Sequence, residues 1–205
     1  MLVSDPIQVR RNRLKLLGIF ALFLLAPLSA LVAWLYLGDA GVDTTTNAGT
    51  LVSPARPLAI SGLLNADGTP LTDADLRGHW TFVLFAPGAS CDERCQEQLY
   101  LTRQTRLAMN KDVSRVQRLM VFAQRPDAAL RENLAREHAD LRWVVGDNRA
   151  DPLRARFRGE GFAPEGEHYF LVDPLGNLMM FYDLSVPTKG MMKDLRKLLK
   201  VSQIG

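Results

Sequence analysis

The stretch Val83-Leu84-Phe85-Ala86-Pro87-Gly88-Ala89-Ser90-Cys91-Asp92-Glu93-Arg94-Cys95 decides how this chain is read. A short apolar, strand-like run ends in a Pro-Gly turn, and the turn delivers a Cys-x-x-x-Cys pair. These are the only two cysteines among 205 residues. The polar segment that follows, Gln96 to Asn110, carries apolar Leu99, Leu107 and Met109 and predicts a helix. The pair then falls in the first turn of that helix, where backbone N–H groups and the helix dipole favour a thiolate. Residues four apart share a helix face with Cα atoms roughly 6 Å apart. Both sulfurs can therefore close a disulfide or hold one soft metal ion. Arg94 favours the thiolate form and Asp92 and Glu93 oppose it.

Upstream, the run from Leu16 to Leu37 holds 22 residues without a charge. That length spans a hydrocarbon core of about 30 Å. Pro27 sits mid-span, where lipid-embedded helices tolerate it, and Trp34 and Tyr36 mark the far interface. A cleaved leader ending near Leu28-Ser29-Ala30 is the competing reading, but Leu at −3 is a poor cleavage signal and the apolar run continues beyond it. Residues 1–15 carry Arg10, Arg11, Arg13 and Lys15 against Asp5, which accounts for the whole net charge of +3. The positive-inside rule then puts the N-terminus in the cytoplasm and the C-terminal domain outside, in the periplasm if the membrane is a bacterial inner membrane. Both disulfides and metal delivery are compatible with that compartment. The remainder is charge-balanced, so a pI near 9.0 gives no argument for nucleic-acid binding.

Four segments follow: a basic segment over 1–15, a transmembrane helix over 16–37, a linker over 38–57 and a folded domain over 58–205. Gly, Ala, Thr and Asp without apolar periodicity make 38–57 a tether. Leu58 to Leu64 predicts a first strand, Leu71 to Leu76 a short capped turn of helix, and Trp80 to Phe85 a buried strand. Beyond the cysteine helix come a strand over Val116–Ala123, a helix over Pro126–Ala139 and a strand over Leu141–Val145 closed by Gly146-Asp147-Asn148. A short basic helix over Asp151–Arg158, a hairpin of Tyr169–Val172 with Leu178–Tyr182, and an amphipathic helix over Lys189–Val201 complete the chain. This order implies an α/β fold, a mixed central sheet with helices on both faces. No G-x-S-x-G, G-x-x-x-x-G-K-S/T or H-E-x-x-H occurs, which gives no sign of a hydrolytic or nucleotide-using enzyme.

Leu64-Asn65-Ala66-Asp67-Gly68-Thr69-Pro70-Leu71 and Leu76-Arg77-Gly78-His79-Trp80-Thr81-Phe82-Val83-Leu84-Phe85 resemble the entry into thioredoxin-like domains. With Cys-x-x-x-Cys in place of Cys-x-x-Cys, the chain resembles the Sco/SenC group. Trp143-Val144-Val145-Gly146 and Phe170-Leu171-Val172-Asp173-Pro174-Leu175-Gly176 look like that group's later strands. The resemblance implies a thioredoxin-like, membrane-anchored copper chaperone or assembly factor for a respiratory cytochrome c oxidase. It implies Cu(I) bound by Cys91 and Cys95, and partners that are an oxidase subunit or another copper or thiol protein. Departures from the group are Asp92 and Gln96 where prolines usually follow the cysteines, and Glu165 where its copper-binding His stands. His168, three residues later, is the candidate third copper ligand by proximity in the fold.

Two other readings stand beside copper carriage. One is a thiol–disulfide oxidoreductase, with Cys91 as the attacking and Cys95 as the resolving thiol, keeping a partner's metal-binding cysteines reduced. The other is a non-catalytic assembly scaffold with a degenerate site. A purely structural bridge over so short a loop would stabilise little. His79 reads as a solvated strand edge and His138, among Arg136, Glu137 and Asp140, as a surface residue. Met179, Met180, Met191 and Met192 cluster late in the chain, as thioether donors for Cu(I) or as core filling.

Overall fold

A computed structural model describes residues 6–37, 46–86, 88–146, 151–165, 167–202 and 204. The chain divides into two units, Met1–Thr46 and Asn47–Gly205. Among the described residues the first contains one helix, α1 (Pro6–Leu37), with Pro27 inside it. Its stretch Ile7–Ala33 is long and apolar enough to cross a membrane, and none of it is buried against protein. The helix begins earlier than the sequence suggests, so Arg10, Arg11, Arg13 and Lys15 lie on its first turns rather than in a separate segment. The Pro87 position, the 147–148 turn and residues 38–45 of the expected tether lie outside the described residues.

The second unit is built on a seven-stranded sheet in the order β1-β7-β6-β3-β4-β5-β2. Its strands are β1 (Thr50–Pro57), β2 (Leu63–Asn65), β3 (Trp80–Ala86), β4 (Val116–Phe122), β5 (Leu141–Gly146), β6 (His168–Val172) and β7 (Asn177–Asp183). β3, β4 and β5 run parallel, and every other pairing is antiparallel. Between them lie α2 (Asp73–Leu76), α3 (Glu93–Leu107), a 3-10 segment (Asn110–Arg115), α4 (Ala128–Glu137) and α5 (Asp151–Arg156), and α6 (Thr188–Val201) closes the chain. The α/β reading with helices on both faces holds.

Side chains alternate across the sheet and make two apolar layers. Trp80, Phe82, Leu84 and Ala86 of β3 join Cys95 and Leu99 of α3, Leu130 and Leu134 of α4, and Met191, Leu195 and Leu199 of α6. Val83 and Phe85 of the same strand face the other way, toward Leu76 of α2, Leu153 of α5, Phe157 and Phe162. The β–α–β crossovers through α3 and α4 put both helices on one face, the arrangement expected when successive crossovers between parallel strands share one hand.

The expected linker extends too far. Thr50–Pro57 is not tether but β1, an edge strand paired with β7 in the register Thr50↔Phe181 and Pro57↔Asn177. The strand expected over Leu58–Leu64 reduces to Leu63–Asn65, paired with β5. Of β1 only Val52 is buried, and the register shifts between Leu51 and Arg56 around Pro54. An edge position is where a sheet accepts proline, and there an alternating apolar signal is dispensable.

Candidate functional site

α3 starts at Glu93, two residues after Cys91. Asp92 is its N-cap: its carboxylate accepts the Cys95 N–H at 2.9 Å, and its carbonyl accepts from Gln96 N–H at 2.9 Å. Cys95 is therefore the third helical residue, and Cys91 lies outside the helix, before the cap. This corrects the expectation that both sit within the first helical turn. An aspartate with an extended backbone takes the capping place that a cysteine cannot fill.

The two sulfurs are joined in a disulfide, with Cα atoms 5.2 Å apart. Cys95 is only 6% exposed, whereas Cys91 is half-buried against the edge of the same apolar layer. The strand-to-helix loop is fixed from the side, because the Ala89 carbonyl accepts the Asp127 N–H at the α4 cap (3.2 Å). From below, Arg118 of β4 holds the helix. Its guanidinium, 1% exposed, donates to the Leu99 carbonyl (2.7 Å) and the Thr102 hydroxyl (3.1 Å) and pairs with Asp140 (3.3 Å). Burial pulls the Arg118 pKa down and Asp140 opposes that pull.

Arg94 does not serve the sulfurs; its guanidinium donates to Glu167 at 2.7 Å and lies 3.9 Å from Asp92. Glu165 is held by Arg158 at 2.7 Å. A small cleft of about 90 Å³ opens beside Cys95, lined among others by Phe85, Arg94, Gln98, Glu165 and Glu167.

His168 opens β6 next to α3, and its carbonyl accepts from the Gln98 amide at 3.2 Å. Its ring meets Phe181 edge-on, with centroids 5.4 Å apart. Phe181 belongs to the layer on the sheet face opposite Cys95. The structure thus joins Cys91 to Cys95 but does not bring His168 to them, and among the described residues no three His, Cys, Asp or Glu side chains converge as a metal-holding group. The buried Nδ1 of His168 has no hydrogen-bond partner. Across the ladder from it, Asp183 is held below the usual carboxylate range, first by the Ser185 hydroxyl and also by the imidazole charge.

The remaining histidines and the methionines resolve into structure. His79 is half-buried with its Nδ1 3.3 Å from the Arg77 carbonyl. His138 is not at the surface: it caps α4, is 8% exposed, and burial followed by Arg118 depresses its pKa. Met180 and Met191 are core residues, Met179 and Met192 pack on the same layer, and the Met191 sulfur accepts the buried Tyr169 hydroxyl at 2.9 Å. Core filling accounts for them.

Sequence reasoning missed the Asp92 cap and the Arg94–Glu167 pair. The first was signalled by Asp before a Glu-Arg start; the second joins residues 73 apart and left no local signal.

The family described as transmembrane-like, thioredoxin-like, C-terminal domain matches residues 80–202. No curated protein matches the sequence. Among solved structures, yeast Sco1 with copper bound shares the fold with a TM-score of 0.56 at 17% identity, over 74% of this chain and 95% of its own. BsSco, a Sco-family cytochrome c oxidase assembly protein with a disulfide switch, matches with a TM-score of 0.54 at 14% identity, over 75% of this chain and 99% of its own. A thio-disulfide isomerase from Thermus thermophilus matches with a TM-score of 0.51 at 19% identity, over 75% of this chain and 100% of its own. The fold is therefore thioredoxin-like, as the entry motif implied.

Proposed function

Because the chain belongs to the family of transmembrane-like, thioredoxin-like C-terminal domains, we propose that it is a membrane-anchored assembly factor for a respiratory cytochrome c oxidase that works by thiol–disulfide exchange through Cys91 and Cys95. One observation carries the reading: the two sulfurs close a disulfide at the start of α3. The oxidase context draws on the fold shared with BsSco, and exchange chemistry on the fold shared with the isomerase. α1 supplies the anchor, and its basic first turns favour a cytoplasmic N-terminus with the domain on the periplasmic side.

In the reduced protein the Cys91 thiolate attacks one sulfur of a partner's disulfide, forming a mixed disulfide and releasing one partner thiolate. The Cys95 thiolate then attacks the Cys91 sulfur, which closes Cys91–Cys95 and releases the second partner thiolate. The partner leaves with both thiols available for metal, and a dithiol reductant of the same compartment restores the pair. Cys91 is the attacking thiol because it is the less buried and lies outside the helix.

Copper carriage is the second reading, favoured by the fold shared with copper-bound yeast Sco1. Copper is cargo here. Two thiolates on Cα atoms 5.2 Å apart suit Cu(I), whereas Glu165 and Glu167 are hard oxygen donors already paired with arginines. His168 as third ligand would require its ring to leave Phe181.

Trapping tests the exchange reading. Cys95→Ser retains the attacking thiol and loses the resolving one, so it should accumulate a mixed disulfide with an oxidised dithiol peptide, and Cys91→Ser should not. Equal trapping by both variants, or by neither, contradicts the assignment. In the copper reading the reduced chain takes about one equivalent of Cu(I), and Cys91→Ser/Cys95→Ser takes none. A chain that shows neither exchange nor copper binding, yet still supports oxidase assembly, leaves the scaffold reading.

A further inference from the structure

α6 has two unlike sides. Met191, Asp194, Leu195 and Leu199 are buried, while Lys189, Lys193, Arg196, Lys197 and Lys200 are exposed. At 100° per residue those five cations fall within an arc of about 100°, centred opposite the apolar side. The single acid of the helix, Asp194, lies on the buried side. Together with the half-buried Met192, the basic side chains frame an open, shallow surface.

The buried side holds the end of the segment that leads from α1. The Asp194 carboxylate accepts the Ala48 N–H (2.9 Å) and the Gly49 N–H (2.9 Å). Two glycines permit the approach: a Cβ on Gly49 would stand 2.5 Å from the Tyr182 ring, and one on Gly190 would stand 2.7 Å from the Ala48 Cβ. Chain that leaves α1 at Leu37 is thus fixed to α6 at Ala48, eleven residues on. Fully extended, eleven residues reach at most about 40 Å. Counted through this contact, α6 is therefore among the elements of the domain that lie fewest residues along the chain from the end of α1.

From this leash and the charge of that face, we propose that the basic side of α6 docks on the anionic headgroups of the same membrane, which would place the domain on the lipid surface. The inference rests on α1 being the anchor. Clustered Lys and Arg gain attraction additively near an anionic surface and lose it with salt. A soluble acidic protein would need no leash, whereas a lipid surface is already within reach.

The test uses the full chain reconstituted with phosphatidylcholine vesicles, with and without phosphatidylglycerol. Amine labelling is read by mass spectrometry at Lys189, Lys193 and Lys200 against exposed Lys111. Docking predicts labelling of the three α6 lysines slowed by about threefold or more in the anionic vesicles. It also predicts no protection in neutral vesicles, in high salt or, for Lys189 and Lys200, in the Lys193→Glu/Arg196→Glu variant. Flotation with neutral vesicles reports the anchor separately. A chain that floats with both lipids but labels equally in both overturns the docking face and leaves the anchor standing. A chain that floats with neither overturns both.

Discussion

The Asp92 carboxylate accepts the backbone N–H of Cys95 at 2.9 Å, so an anion stands between the two cysteines. Asp92→Asn keeps an acceptor at the cap and removes the charge. Less negative charge stabilises the thiolate and hence the reduced pair, which should raise the reduction potential by about 10–30 mV. Asp92→Ala adds the loss of the cap, about 1 kcal/mol of stability. Redox titration and denaturant unfolding of the two variants separate charge from cap; an unchanged potential in Asp92→Asn would show that the carboxylate does not tune the pair.

Asp140 faces both the buried Arg118 guanidinium and Arg106, at 3.3 and 3.5 Å. Asp140→Asn leaves a buried cation without its counter-charge beneath the cysteine helix. Urea unfolding should show a loss of about 2–4 kcal/mol, and hydrogen exchange should rise across Leu99 to Thr105. A loss under about 0.5 kcal/mol would mean that Arg118 is satisfied by its α3 partners alone.

Stability should fall on mild acidification because of His138. Its folded pKa lies below the ordinary 6.5, first through burial and then through Arg118. Between those two values the unfolded chain binds more protons than the folded one. The contribution is therefore complete above 6.5 and declines as pH falls through 6.5 toward the folded pKa. Asp67, Asp75, Asp183 and Glu137 are held below their ordinary values and titrate in a more acid window. Unfolding free energies compared between about pH 8 and about pH 5.5 should drop less in His138→Gln than in the wild type; equal slopes would contradict the assignment.

Gly49 admits no side chain, and Gly49→Val would drive a methyl into Tyr182 and the Met180 sulfur. The expected cost is about 1–3 kcal/mol, with loss of exchange protection along β1 and β7. Asp194→Ala should cost about as much by orphaning the Ala48 and Gly49 N–H groups. A fully protected β1 in either variant would show that this segment is not held by α6.

What the sequence disclosed depended on periodicity. β3, β4 and the β6–β7 hairpin are buried strands with dense apolar runs, and α6 shows its two sides in the 3.6-residue spacing. β1 was illegible because one buried valine and two prolines carry no pattern, and its place is set by pairing with β7. His138 looked exposed because its sequence neighbours are charged, yet the turn after α4 folds it inward. For His168 the parity of β6 was informative: it is two residues from Phe170 and so shares that residue's sheet face, away from Cys95. The cysteine pair was legible as a unit with Asp92 and Arg94 between them, while Arg158, Glu165 and Glu167 come from a distant stretch of chain and could be placed only by the fold.

The most direct test of the working pair is the reduction potential of Cys91–Cys95 in the full chain, measured by thiol trapping across glutathione and dithiothreitol buffers. A pair that cycles with partners should titrate between about −300 and −120 mV and exchange with an oxidised dithiol peptide. A potential below about −300 mV, with no exchange at any poise, would make the bond a structural staple and contradict the account.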